Sequence, residues 1–314
     1  MAVKPNEFIK TPYTDEQYLP IRDFLIASYQ HGIEHHNWQI DRWNFSRHVS
    51  QVIHETRDTW PRTVGLWTDT SGVIQAVVHS EGEDNGDVHF QLALRPFTDQ
   101  ELGKFLDHAE EHLGAINKDG QTKIYPLVGR DFKQLTDLLE LRGYRRTGDL
   151  SIAAQLKIGE QQEVKIPEGM RLVDGAGFSD QARGLAHSLA FGYAEEGKDM
   201  VEKYHIIEAF TTMRQAPDYL AELDLAVLSA QGEMAAFAGF WLDRVNRYAV
   251  LEPLGTVPAF QRLGLARSLI WEGMNRLQGL GADILYGPVN QEFYKRIGFR
   301  PIYEFETWEK TLPA

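Results

Sequence analysis

The sequence predicts a mixed α/β protein built from two similar domains. Three observations support this fold class. The 314 residues suit about two domains of ordinary size. In the second half, strand patterns first follow one another and then alternate with helix patterns, which is typical of a mixed sheet with helices on both faces. Finally, the two halves of the chain share a repeated pattern.

The repeat is clearest where a proline precedes an amphipathic helix. Residues 95–113 align without a gap on residues 257–277, and this alignment pairs Pro96 with Pro258. Each proline is followed by apolar residues at helical spacing. The alignment therefore predicts one equivalent helix in each half.

The repeat continues toward the end of each half. Residues 138–156 resemble residues 292–312, so that Gly143 matches Gly298. Each half is thus expected to contain a strand, loop, helix, strand, short helix, Gly-aromatic pair and final strand. Similarity is weakest and polarity highest between the halves. This indicates domains at 1–157 and 170–314, joined by a linker at 158–169.

The second half defines its elements in order. Apolar periodicity, glycine positions and capping residues are the signals used. They predict a strand at 170–173, a helix at 179–193 with Ser179 as N-cap, a helix at 198–214, a hairpin at 223–243 turning at Gln231-Gly232, a strand at 247–257, a helix at 265–281, a strand at 282–289, a short helix at 291–298 and a closing strand at 301–310.

Composition excludes several classes of protein. A hydrophobic content of 43% argues against disorder. Apolar stretches such as 235–242 are far shorter than the ~18 residues of a membrane helix. The N-terminus has no apolar signal region, so a cytoplasmic location is expected. The absence of cysteine excludes disulfides and thiolate chemistry.

Charge and histidine spacing exclude two kinds of ligand. A net charge of -13 opposes binding to nucleic acid and favours cationic small substrates. Residues His31 to His35 match the H-x-x-E-H pattern of zinc peptidases. However, Gly32 weakens that helix and no distal glutamate ligand stands out. We therefore expect no metal site.

One segment, residues 256–267, combines the features of a phosphate site. A strand ends there and a small-residue loop opens a helix, whose free N–H groups and dipole favour an anion. Gly264 has no Cβ to obstruct a phosphate, and Arg262 and Arg267 can add charge-assisted hydrogen bonds. The alternative is that Gly264 only loosens a helix start.

This loop resembles that of the GCN5-related N-acetyltransferase (GNAT) family, whose motif is Q/R-x-x-G-x-G/A. The six residues Gln261, Arg262, Leu263, Gly264, Leu265 and Ala266 match it in every position. A second family motif, an asparagine followed by F-Y-x-x-x-G-F, matches Asn290 and residues 293–299. Together the motifs imply two tandem acyl-CoA N-acyltransferase domains, of which the second is intact.

The resemblance implies acetyl-CoA as cosubstrate. Its pantetheine arm would run along the backbone of Thr256 and Val257. Its pyrophosphate would bind the amides from Arg262 to Arg267. Asn290 would hydrogen-bond the pantetheine, although it can equally be a helix N-cap.

The resemblance also implies direct acetyl transfer to an amine, without an acyl-enzyme. Tyr294 occupies the position of the family's acid, which protonates the departing thiolate; the alternative is a core aromatic. Glu252 is the candidate base, and the alternatives are an exposed strand carboxylate or a residue at a bulge before Pro253. Asp243 is a reserve candidate and His187 a weaker one.

The first half lacks these features in the same alignment. Asp99 and Glu101 stand where the second half has Gln261 and Leu263, and Leu102 stands opposite Gly264. Leu139 falls opposite Tyr294. This half resembles the degenerate, non-catalytic domain of tandem acetyltransferases. We expect it to pack against the second domain and shape the acceptor cleft.

The sequence therefore predicts an N-acetyltransferase acting on a primary amine of a small molecule or peptide. A non-catalytic acyl-CoA sensor or scaffold is the alternative, and a protein with two structural halves is a third reading. Four acceptor classes remain open: a polyamine, an amino-sugar antibiotic, an amino acid and a protein N-terminus. The sequence does not specify the oligomeric state.

Overall fold

The computed structural model describes residues 8–29, 37–193, 205–288 and 291–313. The strands are β1 Ile9–Thr11, β2 Gly65–Thr68, β3 Ile74–His79, β4 Asp87–Leu92, β5 Ala115–Ile116, β6 Thr122–Gly129, β7 Arg145–Lys157, β8 Arg171–Asp174, β9 Asp224–Leu228, β10 Met234–Asp243, β11 Tyr248–Thr256, β12 Ile284–Pro288 and β13 Arg300–Thr311.

The described helices lie between these strands in the expected order. They are α1 Tyr18–Ser28, α2 Ile40–Phe45, α3 Gln51–Ile53, α4 Asp99–His112, α5 Lys133–Leu141, α6 Asp180–Ala190, α7 Ile206–Met213, α8 Leu265–Gly279 and α9 Glu292–Ile297. Short helical turns are Asp15–Gln17, Ser46–Ser50, Trp60–Arg62, Ala221–Leu223 and Pro258–Phe260.

The chain forms two compact units. Unit 1 contains the described residues of 1–43, 54–152 and 303–314, and unit 2 those of 44–53 and 153–302. Each expected element of the second half is present within a few residues. Residues 198–204 of the expected helix at 198–214 lie outside the described residues, and α7 accounts for 206–213.

Unit 1 has the strand order β1-β2-β3-β4-β6, with β5 also on β6 and residues 303–311 of β13 on the other side of β6. Only β4 and β6 are parallel among the described pairs of this unit. Helix α4 covers the sheet because Leu102, Phe105, Leu106 and Ala109 recur at helical spacing and are all fully buried. Trp308 of β13 belongs to the same core.

Unit 2 has the strand order β8-β9-β10-β11-β12, completed by residues 153–157 of β7 on β12. The β11–β12 pair is parallel. Strand β10 is buried along its whole length because helices cover both faces. On one face Gly273 of α8 lies against the ring of Phe240, and on the other Phe237 and Trp241 belong to the cores formed with α6 and α7.

The final strands of the two sequence halves are exchanged between the units. Strand β7 ends the first half, yet Ala153 pairs with Pro288 in unit 2. Strand β13 ends the second half, yet Phe305 pairs with Gly129 in unit 1. The linear boundaries 1–157 and 170–314 therefore differ from the compact units, and residues 44–53 join unit 2 as well.

The expected linker, residues 158–169, contains no strand or helix but is not a free connector. The Ile158 amide donates to the Asp283 carbonyl at 2.8 Å. The Gln162 amide donates to Asn275 Oδ1 at 2.8 Å, and Ser268 Oγ donates to the Lys165 carbonyl at 2.6 Å. These bonds attach the segment to α8 within unit 2.

Within the described residues, no helix is both long and apolar enough to span a membrane. The predicted N-cap of α6 is confirmed, since Ser179 Oγ accepts a hydrogen bond from the Ala182 amide at 3.2 Å.

Candidate active site

A cleft of about 870 Å³ opens in unit 2 where β11 and β12 separate. Parallel pairing between the strands ends at Val250 and Tyr286, and the last three residues of β11 form one wall of the cleft. The lining residues are Ala190, Phe191, Leu254, Gly255, Thr256, Phe260, Gln261, Arg262, Gly264, Leu265, Ala266, Arg267, Gln291, Phe293, Tyr294, Arg296 and Ile297.

The loop before α8 presents an uncapped helix start to this cleft. Gly264 is the N-cap of α8 in the left-handed region, with φ 79°, and no side chain caps the helix. In the described part of the chain, the amides of residues 262–267 have no hydrogen-bond acceptor. A Cβ at Gly264 would meet no protein atom within 4 Å. These amides and the α8 dipole form a cradle suited to an anion.

Arginines border this cradle. Arg262 and Arg267 are exposed and line the cleft, and neither has an ion-pair partner among the described residues. Arg296 also lines the cleft and lies 3.6 Å from a Glu292 oxygen. The edge of the cleft is therefore positive although the chain carries a net charge of -13.

Tyr294 lies on α9 and lines the same cleft. It is 8% exposed, and its ring makes edge contacts with Phe293 at 5.1 Å and Phe299 at 5.8 Å. Burial, with a contribution from the Glu252 charge, raises the pKa of the phenol to about 12. The hydroxyl therefore keeps its proton at neutral pH and is available as a donor.

Glu252 is half-buried at a bulge in β11. Leu254 pairs with Ala238 and Leu251 with Phe240, so β11 carries one extra residue between these pairs. The Glu252 carbonyl accepts from Trp241 Nε1 at 3.0 Å. Glu252 borders a water-sized cavity of about 10 Å³ and is near enough for its charge to act on Tyr294. Glu252 therefore both lies at a bulge and is close to Tyr294.

Most of the expected cofactor residues lie at the cleft. Those lining it are Thr256, Gln261, Arg262, Gly264, Leu265, Ala266 and Arg267. Leu263 does not line it and is 48% exposed. Val257 lies in the core, and its amide donates to the Ala235 carbonyl at 3.0 Å, which argues against the expected backbone role. Asn290 lies outside the described residues.

The two reserve bases are placed differently from expectation. Asp243 ends β10 opposite Tyr248, at the far end of the hairpin from the cleft. Its carboxylate accepts hydrogen bonds from the amides of Val245 and Asn246 and from Asn246 Nδ2, so it serves the turn. His187 is surrounded by rings, and burial, followed by the Arg183 charge, lowers its pKa to about 3. Neither residue lines the cleft.

Several cleft residues had no motif to identify them. Phe191, at the C-cap of α6, is 46% exposed and lines the cleft together with Ala190. Phe260 adds aromatic surface, as does Phe293, which is the first residue of the F-Y-x-x-x-G-F motif. The only sequence signal for Phe191 was its place at the end of an amphipathic helix, which does not show what that end faces.

The equivalent helix of unit 1 is capped by its own side chains. Thr98 Oγ1 accepts from the Glu101 amide at 3.2 Å, and a Glu101 carboxylate oxygen accepts from the Thr98 amide at 2.7 Å. Gln134 Nε2 in turn donates to Asp99 Oδ1 at 2.8 Å. The first turn of α4 is therefore closed to an anion by a capping box.

The ungapped alignment is wrong at the start of this helix. It places Leu102 opposite Gly264, but the N-cap residues are Thr98 and Gly264. One residue lies between Pro96 and its N-cap and five lie between Pro258 and its own, so the unit 2 loop is longer by four residues, about one helical turn. Leu102 is instead fully buried in the core of unit 1.

The alignment is correct further along. The Tyr144 amide donates to the Leu139 carbonyl at 3.0 Å, and the Phe299 amide donates to the Tyr294 carbonyl at 3.0 Å. Leu139 is fully buried and occupies the position that Tyr294 has in unit 2. Unit 1 therefore has an aliphatic side chain where the cleft of unit 2 has a phenol.

Among the described residues, no group of three His, Cys, Asp or Glu side chains is arranged to hold a metal ion. The H-x-x-E-H pattern at His31 to His35 lies outside the described residues.

Known proteins provide a family and a fold. Residues 187–299 match the family described as Acetyltransferase (GNAT) family, and this range contains both the uncapped loop and Tyr294. No curated protein matches the chain in sequence.

Three solved structures resemble the chain over nearly its whole length. A GCN5-related N-acetyltransferase from Sphaerobacter thermophilus has a TM-score of 0.62 at 16% identity, covering 99% of this chain and 98% of that one. A tandem GNAT protein from the clavulanic acid biosynthesis pathway has a TM-score of 0.67 at 13% identity, covering 98% and 99%. A GNAT-family acetyltransferase from Colwellia psychrerythraea has a TM-score of 0.52 at 11% identity, covering 96% and 99%. The chain shares the tandem fold.

Proposed function

We propose that this chain moves acetyl from acetyl-CoA to a primary amine, because residues 187–299 match the GNAT acetyltransferases, a family that transfers acyl groups from acyl-CoA to amines. The acceptor is a small molecule or a peptide. Unit 2 performs the reaction, and unit 1 has no catalytic part in it.

One observation carries this proposal: the uncapped start of α8 and the buried phenol of Tyr294 share one cleft. Six unpartnered amides within the described chain and the exposed Arg262 and Arg267 fit a diphosphate. The residues present therefore suit acetyl-CoA, which supplies an activated thioester.

The chain's own residues handle the protons. An alkyl ammonium must lose one proton before its nitrogen can form the new C–N bond, and the Glu252 carboxylate is the acceptor we assign. As the C–S bond breaks, the thiolate receives a proton from the hydroxyl of Tyr294. The nitrogen releases its second proton as the amide forms, and this proton passes through solvent to restore the phenol. The proximity of the two side chains supports these roles, because the Glu252 charge acts on the Tyr294 phenol.

The test is thioester consumption with a panel of primary amines, followed as free thiol and checked by mass spectrometry of the acetylated amine. Calorimetry with acetyl-CoA is run beside it. Amine-dependent thiol release supports the enzyme. Binding without turnover of any amine would instead favour a sensor or scaffold, and absence of binding would favour a protein with two structural halves.

A further inference from the structure

One arginine of unit 2 is buried with four of its five N–H donors unused among the described residues. Arg183 on α6 is 1% exposed, and Nε lies 3.4 Å from Asp224 Oδ1, a long contact. Within the described chain, Nη1 and Nη2 are buried and have no hydrogen-bond partner. The guanidinium lies 3.9 Å from the ring centre of Phe237 and 4.8 Å from that of Phe210.

A neighbouring arginine of this unit, Arg214, has hydrogen-bond partners for both Nε and Nη1. Arg214 pairs through Nε with Asp180, and Nη1 donates to the Gly175 carbonyl at 2.8 Å and to the Tyr219 hydroxyl at 2.9 Å. The Tyr219 hydroxyl in turn donates to Asp224 Oδ2 at 3.1 Å. Asp224 is thus shared, and the Nη edge of Arg183 stays open.

An open guanidinium edge is chemically specific. Its two parallel N–H groups match the two oxygens of a carboxylate, and burial strengthens such a bidentate pair. Leaving buried charged donors without partners costs free energy. A ligand carboxylate would relieve that cost, whereas an apolar ligand would not.

A row of side chains leads from the cleft to this edge. Arg183, His187 and Phe191 follow at four-residue spacing and so share one face of α6. Phe191 lines the cleft, and its ring centre lies 4.6 Å from that of His187. His187 Nδ1 is also buried without a partner in the described residues, so a second polar group awaits a ligand.

The edge is also close to the reacting end of β11. A Cβ placed on Gly255 would come within 2.2 Å of Cζ of the Phe237 ring, and the Arg183 guanidinium lies 3.9 Å from the centre of the same ring. Gly255 lines the cleft. Only one aromatic side chain therefore separates the cleft wall from the guanidinium, a span that one small molecule can bridge.

We propose that Arg183 binds the carboxylate of the acceptor, so that the acceptor class is an amino acid, with amine and carboxylate on one small molecule. This rests on the proposed acetyl transfer. His187 adds a hydrogen bond to the same carboxylate, and Phe191 turns aside at the end of α6 to admit it. The amine then lies toward Gly255 and the carboxylate toward α6.

The first experiment compares acceptors that differ only in the carboxylate. L-leucine, L-leucinamide and 3-methylbutylamine are assayed with acetyl-CoA, and the same acid and amide pairs are run for alanine and phenylalanine. We expect kcat/KM for the better amino acids to exceed that of their amides at least tenfold. The amino acid amides have the less basic amine, so more of the amine is neutral and ready to react. Amine basicity alone would therefore favour acetylation of the amides. Equal or reversed preference would overturn the proposal.

The second experiment substitutes the arginine. Arg183→Lys retains a buried cation but loses the fork, and it should raise KM for the amino acid at least tenfold while changing KM for the amide less than twofold. Arg214→Lys is the matched control, because Nε and Nη1 of that arginine are already bonded within the protein, and it should affect both acceptors alike. An Arg183→Lys variant that slows both acceptors equally indicates a structural arginine and contradicts the proposal.

Failure of this proposal differs from failure of the proposed function. If polyamines or amino sugars are acetylated and no amino acid is, the proposed acetyltransferase function stands and the proposed carboxylate site is wrong. If acetyl-CoA binds but no amine reacts, thermal shifts with N-acetyl-L-leucine and N-acetyl-L-leucinamide decide. Stabilisation by the acid only, lost in Arg183→Lys, supports the site, and equal or absent shifts overturn it.

Discussion

Thr98 and Gly264 are the N-cap residues of equivalent helices in the two units, but only Thr98 closes its helix with a side chain. In unit 1 the capping box with Glu101 uses amides of the first turn. In unit 2 the corresponding amides stay open within the described chain. This difference supports the proposal that unit 2 binds the cofactor and unit 1 does not.

Gly264→Asp should weaken acetyl-CoA binding at least tenfold. Its carboxylate would stand at the amide cradle, both as a negative charge and as a competing cap. The fold should persist, because a Cβ there meets no protein atom, although the φ of 79° costs about 1 kcal/mol for a non-glycine residue. Calorimetry measures the affinity. Gly264→Asn, similar in size but uncharged, is the control and should lose less affinity; equal affinity for Gly264→Asp and wild type would refute the loop assignment.

Each chain should bind one acetyl-CoA. The α4 helix of unit 1 is capped by Thr98 and Glu101, and a buried leucine, Leu139, replaces the phenol. Placing a diphosphate beside Glu101 would also set like charges against one another, at about 4 kcal/mol for ~4 Å at an effective dielectric of 20. Titration should saturate at one equivalent. A second equivalent that survives in Gly264→Asp would show a working site in unit 1.

Tyr294→Phe should lower kcat by ~10²–10⁴ and leave acetyl-CoA affinity nearly unchanged. The phenylalanine ring can keep the contacts with Phe293 and Phe299, so only the proton donor is lost. Because the pKa of Tyr294 is about 12, the wild-type rate should not fall between pH 8 and pH 10 through ionisation of this group. Steady-state kinetics across that range checks both statements. Wild-type turnover by the variant would show that another group is the acid.

Glu252→Gln should depress the rate most at low pH. Below its own pKa the amine is an ammonium and depends on a base, whereas near that pKa solvent supplies the neutral amine. We expect a deficit of ~10²-fold at pH 7 that narrows as pH rises. The pH profile of kcat/KM is the measurement. A constant deficit at all pH values would indicate that Glu252 positions the strand instead of accepting the proton.

The free energy of unfolding should fall as pH falls below about 6.5. In unit 1, burial lowers the pKa of His79 to about 3. Its Nδ1 lies 2.9 Å from the Ser80 carbonyl and its Nε2 3.1 Å from Gln91 Nε2, so the neutral ring is satisfied. The ordinary pKa of histidine is about 6.5. Between pH 6.5 and pH 3 the unfolded chain therefore takes up a proton that the folded chain does not, and this lowers the free energy of unfolding by up to ~1.4 kcal/mol per pH unit.

Urea unfolding at pH 6, 5 and 4 measures that slope. His79→Gln should flatten it by ~1 kcal/mol per pH unit. An unaltered slope in His79→Gln would show that other groups control the acid response.

Local sequence patterns predicted the binding loop, but they did not predict contacts between residues far apart in the sequence. Gly264 and Tyr294 belong to short motifs whose backbone geometry is set by neighbouring residues. Their placement at one cleft could therefore be predicted from the sequence. The longer loop after Pro258 was missed because an ungapped alignment hides an insertion of one turn. Arg183 has no motif, and only its buried, unpartnered edge identifies it. Strand pairing between distant segments leaves no periodicity by which to choose a partner.

The exchanged strands make unit 1 depend on residues far along the chain. Strand β6 lacks its neighbour, and the core lacks Trp308, until residues 303–311 have left the exit tunnel. Until then the N-terminal residues of unit 1 have an open sheet edge, which exposes them to premature association. A gene cut at residues 158–169 would yield two fragments, each missing a strand that the other carries. Each unit thus depends on residues from both halves of the sequence.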